Sequence, residues 1–373
     1  MDMAGVFWAS VSVIVYVYLG YPLLLAAWAR LASRPVRKAP GVSSGWPSIS
    51  IVVAARNEAA RLPARIANLL ALNYPAPREI IIVSDGSTDG TRDTVREFVA
   101  GAGAAAATVR VVEVPAGGKP LALNAGVAAA SGEIVVFADA RQRFSPDALL
   151  ELVANFADPK VGGVTGELIL DCESAPGNGG SSIGDGVGLY WTYEKWLRRK
   201  ESAVWSTLGA TGAIYALRRR LWRPLPPETL LDDVLAPMRA VLDGYRIVFE
   251  ERALAFDKAA PDAEAEKRRK TRTLAGNYQV LGQDPRLLVP VLNPVWLQYL
   301  SHKVGRLVVP WALLLAFVTN AVLAPSSWFY AAALTVQVGF YGLAAVGAWA
   351  ELRIRHRRGE FEQMSVSLEK GAR

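Results

Sequence analysis

Three long apolar runs mark the two ends of the chain, and the stretch between them breaks into short β-branched runs that alternate with helix-spaced segments. From Val6 to Ala29 no residue is charged, and the run is long enough to cross a hydrocarbon core of about 30 Å, so it predicts a transmembrane helix. Leu307 to Leu323 and Trp328 to Ala350 are separated only by Ala324-Pro325-Ser326-Ser327 and predict a transmembrane hairpin. Ahead of the hairpin, Pro285, Pro290 and Pro294 interrupt an apolar stretch between Asp284 and His302, which reads as interfacial or re-entrant.

In the interior, Ser48–Ala54 and Glu79–Ser84 are strand patterns, with a helical pattern over Ala59–Leu72 between them. A helix over Thr91–Ala100, a strand over Val109–Val114, a helix over Pro120–Ala130 and a strand over Glu133–Ala138 follow. This alternation predicts an α/β domain with a parallel sheet. Such sheets bind ligands beyond the carboxyl ends of their strands. Four polar clusters fall there: Arg56-Asn57-Glu58, Asp85-Gly86-Ser87-Thr88-Asp89-Gly90, Gly118-Lys119-Pro120 and Asp139-Ala140-Arg141. Singly, Asp85 and Asp89 suit helix capping as well as ligand binding.

Charge places the membrane segments rather than pointing to nucleic acid. The net +7 is concentrated where Arg30, Arg34, Arg37 and Lys38 follow one apolar run and Arg353, Arg355, Arg357 and Arg358 follow another. By the positive-inside rule the N-terminus and the Pro325 turn are outside, while Arg30 to about Arg306 and the C-terminus are cytoplasmic. Charges that follow rather than precede the first run make it an anchor instead of a cleaved leader. Cys172 is the one cysteine, which excludes an internal disulfide, and two histidines without a cysteine cluster argue against a zinc site.

The second half supplies a small-residue loop, Gly209-Ala210-Thr211-Gly212-Ala213, leading into the apolar strand Ile214–Arg218, where a sugar could approach closely. Leu231-Asp232-Asp233-Val234 opens a helix continued by Leu235, Met238 and Leu242, and Gly244–Phe249 ends it and starts a strand. On residue type alone, an Asp-Asp pair there is ordinary capping and dipole complementation. Gly188–Trp196 carries aromatics at helical spacing that suit either core packing or a glycan surface, and Glu266–Thr273 is a basic segment entering a helix over Leu274–Gln279.

The order and spacing of these clusters resemble the family-2 glycosyltransferases, including the bacterial polysaccharide synthases, over roughly Pro47–Gln279. The resemblance implies a GT-A nucleotide-sugar-binding domain, a Rossmann-like mixed sheet with flanking helices, joined to transmembrane helices. It implies that Arg56, Asn57 and Glu58 begin the nucleotide pocket, that Asp85 contacts a uracil-type base, that Lys119 lies over the diphosphate and that Asp139 begins an Asp-x-Asp motif. Arg141 stands where many relatives have a second Asp that helps hold Mg²⁺ or Mn²⁺. Asp139 alone can serve as the metal carboxylate, and Arg141 can pair with phosphate or form a structural ion pair. By the same resemblance Asp233 is the base that takes the acceptor hydroxyl proton in an inverting transfer, Asp232 supports it, and Gly209, Thr211 and Gly212 lie on the acceptor side. Arg272 matches the arginine of a Gln-x-x-Arg-Trp element, with Thr273 in place of the tryptophan, so processive synthesis is not implied.

The expected partners are a nucleotide-sugar donor, UDP-linked, a glycan or lipid acceptor, membrane lipids and other polysaccharide-assembly proteins, at the cytoplasmic face of the cell inner membrane. The alternative is a non-catalytic assembly or regulatory subunit, suggested by Arg141 and Thr273 and opposed by the intact Asp85, Asp139 and Asp233. The expected organisation is an N-terminal span (1–30), a basic linker (31–46), a GT-A domain (47–260), an interfacial segment (261–303), a membrane hairpin (304–351) and a cytoplasmic tail (352–373).

Overall fold

The computed structural model describes residues 2–39, 45–102, 108–171, 182–258 and 263–371; Cys172 lies outside them. The chain divides into two compact units, Met1–Leu19 with Val308–Arg373, and Gly20–Leu307.

The larger unit is built on one eight-stranded sheet in the order β3-β2-β1-β4-β7-β6-β8-β5. Its first half is the expected alternation: β1 Ile49–Ala55, α3 Leu62–Leu70, β2 Arg78–Asp85, α4 Thr91–Ala102, β3 Val109–Val114, α5 Lys119–Ala129 and β4 Ile134–Asp139. These four strands are parallel, as expected. Beyond β4 the sheet turns mixed, in agreement with the mixed sheet that the resemblance implies. β7 Ile214–Arg218 runs antiparallel to β4, β6 Val161–Asp171 antiparallel to β7, β8 Arg246–Lys258 parallel to β6, and the short β5 Arg143–Phe144 antiparallel to β8. β6 was not foreseen: its Val-Gly-Gly-Val-Thr-Gly start weakens the strand pattern, and its place depends on partners distant in sequence.

The central strands are buried on both faces, which is why they read as continuous apolar runs. Ile49, Ile51 and Val53 pack toward Leu62, Ile66 and Leu69 of α3 and Leu149 and Leu152 of α6 Ala148–Ala154. The opposite side of the sheet meets Leu123 and Val127 of α5 and Leu235, Met238 and Val241 of α8 Asp232–Leu242, with Val52, Ile81 and Val83 in the same cluster. Parallel register brings Ala55 level with Ser84, Asp85 with Val114 and Ala54 with Asp139, so the strand ends carrying the polar clusters share one edge.

α7 Ser182–Val204 contributes Leu197 and Val204 to a small core with Tyr21, Leu25 and Ala29 of α2 Tyr21–Leu31, and Tyr193 and Trp196 pack against it. This favours the packing reading of those two aromatics; the side chain of Tyr190 lies outside the described residues. α9 Ala263–Gln283 crosses the loop that leads into α8, where a Cβ at Gly276 would meet Leu231 Cγ at 2.5 Å.

Among the described residues, three helical runs are long and apolar enough to cross a membrane: Met3–Leu31, Trp296–Ser326 and Trp328–Gly347. The first joins α1 Met3–Val15 to α2 through a π turn at Tyr16–Gly20. The second begins with α10 Trp296–Gln298, passes through a π turn at Tyr299–Val304 and continues as α11 Gly305–Leu323. Residues 296–302 therefore belong to the same continuous run as the expected hairpin, and the boundary drawn at residue 304 falls inside it. Only the preceding part, with a 3₁₀ turn at Pro285–Leu288, stands apart. In the smaller unit, Phe7 meets Tyr330 edge-to-face at 5.3 Å and Trp8 stacks on Phe329 at 5.6 Å, at the start of α12 Trp328–Gly371.

Candidate functional site

The ends of β1 and β2 are locked to each other by side chains that the sequence singled out. Asn57 adopts a left-handed conformation (φ 56°), which its short polar side chain tolerates, and its Oδ1 accepts from Thr88 N–H at 2.8 Å while its own N–H donates to Ser87 Oγ at 3.1 Å. Asp89 accepts from Ala59 N–H and Thr91 N–H, both at 3.0 Å, and the Glu58 carboxylate lies 2.6 Å from Arg61 Nη1. Arg56 is exposed.

Asp85 is buried and accepts Gly117 N–H at 2.7 Å and Gly118 N–H at 3.0 Å. Its carboxylate thus ties down the loop that leads into α5. Gly118, at φ 85°, makes the turn that an ordinary side chain would strain, and the next residue, Lys119, starts the helix.

Lys119 is the hub of the site. Its Nζ lies 3.0 Å from Asp139 Oδ1 and 3.5 Å from Asp232 Oδ2, and burial alone would lower its pKa, but Asp232, Asp139 and Asp233 together hold it above the ordinary lysine range. Asp139, at the end of β4, keeps about a third of its side chain exposed (35%). Beneath it Arg65 is buried and pushed down to about 9 by burial, against the opposing pull of Asp139, and its guanidinium lies over the Phe144 ring at 4.2 Å.

The paired acids open α8 as expected. Asp232 is buried, and among the described residues its Oδ2 has no hydrogen bond and pairs with Lys119. Asp233 Oδ2 accepts Gly212 N–H at 3.0 Å, and its carbonyl accepts Ala210 N–H at 2.6 Å. A Cβ on Gly212 would meet Asp233 Oδ2 at 2.9 Å, so the small-residue loop is required here for close approach to the acid. Burial, then the Asp232 charge, push the Asp233 carboxyl up to about 6, with Lys119, Lys303 and Arg198 pulling the other way. Thr211 is held by its N–H to Thr165 Oγ1 at 2.8 Å and by Arg198 Nη1 on its Oγ1 at 2.6 Å. Gly209, at φ 138°, lies against Val234.

Two expected residues point elsewhere. Arg141 turns to Asp257 of β8, 3.0 Å away, where Gln142 Nε2 also donates to Asp257 at 2.9 Å, so of the alternatives open to it the structural ion pair is the one formed. Arg272 is exposed and donates through Nη2 to the Leu230 carbonyl at 3.0 Å, bracing the loop before Asp232. Gln279 braces the same loop, accepting Leu230 N–H at 2.8 Å.

Tyr215 is the member that sequence reasoning missed. It is fully buried on β7, stacked on Phe137 at 4.5 Å, and its hydroxyl has no partner among the described residues. Burial and the three site carboxylates push it well above the usual phenol range. Its position in the apolar strand Ile214–Arg218 gave no signal, because an inward tyrosine reads as core. For a divalent ion, no three His, Cys, Asp or Glu side chains among the described residues are arranged to hold it together. Asp139 remains as one partly exposed carboxylate, which suffices where phosphate oxygens and water complete the shell.

Residues 50–222 match the family model described as Glycosyl transferase family 2. The chain is 26% identical over 241 residues to a poly-beta-1,6-N-acetyl-D-glucosamine synthase of Staphylococcus epidermidis, covering 63% of this chain and 56% of that protein. It is 25% identical over 242 residues to the probable glycosyltransferase YdaM of Bacillus subtilis, with the same coverage. The match thus spans little more than half the length of these relatives. Among solved structures, the mannosyltransferase PcManGT from Pyrobaculum calidifontis, in complex with GDP-Man and Mn²⁺, superimposes with a TM-score of 0.69 at 23% identity, covering 92% of this chain and 94% of that one. The sheet is therefore the GT-A fold.

Proposed function

We propose that this chain, which carries a glycosyltransferase family 2 domain over residues 50–222, transfers a sugar with inversion from a nucleotide-sugar, UDP-linked, to a glycan or lipid acceptor at the cytoplasmic face of a membrane. The observation that carries the reading is the convergence of Asp139, Asp232 and Asp233 on Lys119 at the carboxyl edge of the sheet, with Asp233 raised to about 6. A carboxylate in that range is a better proton acceptor at neutral pH than an ordinary aspartate.

In this reading the acceptor oxygen attacks the anomeric carbon as the bond to the nucleoside diphosphate breaks, and its proton passes to Asp233. Gly212 N–H orients the Asp233 oxygen, and Asp232 holds the local charge against Lys119. Lys119 offsets charge developing on the leaving diphosphate. The loops fixed by Asn57 and Asp85 form the nucleotide side. A bound Mg²⁺ or Mn²⁺, held by Asp139, would further neutralise the diphosphate.

The relatives named as polysaccharide synthases support a role in cell-surface polymer synthesis, and the three apolar helices support multi-pass anchoring in a cytoplasmic membrane. The product's anomeric configuration tests the mechanism. Proton NMR of a short alkyl glycoside acceptor after transfer is expected to show the configuration opposite to the donor's; retention would overturn the one-step displacement through Asp233.

A further inference from the structure

A charged cluster lies where α7 meets the start of the second apolar run, and the donor side makes no use of it. Glu194, Arg198 and Glu201 recur at helical spacing and share one face of α7. Opposite them, the run Trp296–Ser326 carries His302, Lys303 and Arg306 close to its beginning. Glu194 Oε1 lies 2.5 Å from Arg306 Nη1. Glu201 Oε1 lies 2.6 Å from His302 Nδ1 and accepts from Tyr21 Oη at 2.8 Å. Both carboxylates, which are buried, are therefore matched.

Arg198 and Lys303 are not. Among the described residues neither forms an ion pair; Arg198 donates to the neutral Thr211 hydroxyl, and Lys303 makes no hydrogen bond. The two cations are close enough for their fields to overlap, and both fields reach Asp233. Thr211, which Arg198 holds, precedes Gly212, whose N–H holds the Asp233 carboxylate. On the other side, Lys119 of α5 pairs with Asp139 of β4 and with Asp232, the residue next to this acid. Glu194 and Glu201 pull on Lys303 from a distance, but each is already in contact with another cation, Arg306 or His302. Two partly buried cations that repel each other, with no carboxylate in ion-pair contact, leave room for an anion to join them. An arginine fork beside a lysine is the donor set suited to phosphate.

We propose that Arg198 and Lys303 form a phosphate-binding subsite on the acceptor side of Asp233, so that the acceptor is a membrane lipid bearing a sugar through a phosphate. The inference rests on the reading of Asp233 as the base. The acceptor hydroxyl lies at Asp233, the phosphate sits on the two cations, and the lipid follows the apolar run that begins at Trp296. The phosphate only binds: the bond made joins the acceptor oxygen to the anomeric carbon, the bond broken releases the nucleoside diphosphate, and the proton goes to Asp233. A neutral glycan acceptor would leave both cations without an anion in direct contact.

The test uses the full chain in detergent with two acceptors that differ only in the phosphate, octyl N-acetylglucosaminyl phosphate and octyl N-acetylglucosaminide. Lys303→Gln and Arg198→Gln are each expected to raise the ratio of acceptor KM values, phosphorylated over neutral, at least tenfold, and Lys303→Arg to recover most of the loss. Melting temperatures of the variants check that they fold. Equal changes for both acceptors would overturn the subsite, as would a wild type that prefers the neutral glycoside. A loss falling on the donor KM would assign the cations to the donor's diphosphate and overturn it too. Absence of nucleoside diphosphate release by the wild type overturns the proposed function itself, and this inference with it.

Discussion

Replacing Asp233 by Asn is expected to abolish transfer while making the protein more stable at neutral pH. The Asp233 carboxyl is raised to about 6, first by burial and then by the Asp232 charge. An unfolded aspartate titrates near 4. The native chain therefore binds this proton more tightly than the unfolded chain, so ionising the group costs stability. The cost is absent below about pH 4, grows between about 4 and 6, and is fully present above 6. A difference of about two pKa units, already net of the attraction to Lys119, Lys303 and Arg198, corresponds to about 3 kcal/mol. A gain of about 2–3 kcal/mol at pH 8 follows, vanishing toward pH 4. Asparagine keeps an oxygen for Gly212 N–H, so the loop contact survives. Melting temperatures of wild type and variant in the same detergent, at pH 4.5 and pH 8, are the assay. The variant should gain a few degrees at pH 8 and little at pH 4.5; a variant less stable at pH 8 would refute the burial and charge argument.

Asp85→Ala frees the Gly117–Gly118 backbone and leaves its N–H groups without their carboxylate; the nucleotide KM is expected to rise tenfold or more, with Asp85→Asn intermediate in a steady-state titration. Gly212→Ala puts a Cβ 2.9 Å from Asp233 Oδ2, so kcat should fall about a hundredfold with little change in donor KM, whereas an unchanged kcat would show that the acid tolerates displacement. Arg141→Asp restores an Asp-x-Asp pattern but deprives Asp257 of its ion-pair partner. Manganese titration followed by electron paramagnetic resonance should show tighter binding in this variant than in wild type, together with a lower melting temperature.

The parts read most directly from sequence were those with local causes. β1, β2 and β4 are dense in Val and Ile because both faces are buried, the edge strand β3 intersperses Val with exposed Arg110 and Glu113, and the loops at the strand ends carry the Asp, Asn and Gly that turns require. The α8 start was equally visible, since Asp232 and Asp233 precede a helical apolar pattern. Side-chain commitments across the sheet left no local trace. The pairing of Arg141 with Asp257, the turning of Arg272 toward Leu230 and the orphaned hydroxyl of Tyr215 depend on which strand lies beside which. The contacts of Asp85 with the backbone of the following loop were likewise invisible, since they depend on a residue 32 positions away. The helix beginning at Trp296 was obscured because Pro285, Pro290 and Pro294 all precede it and their interruption was extended over its first residues.

The central claim, that the carboxylates around Lys119 perform sugar transfer from a nucleotide donor, is tested most directly by nucleoside diphosphate release. Detergent-purified full-length protein would be assayed with a panel of nucleotide-sugars, with and without Mg²⁺ or Mn²⁺, comparing wild type with Asp233→Asn in the presence of membrane lipids. The account predicts release from one donor by the wild type and its loss in the variant. Near-normal release and transfer by Asp233→Asn, or no release from any donor by the wild type, would contradict it.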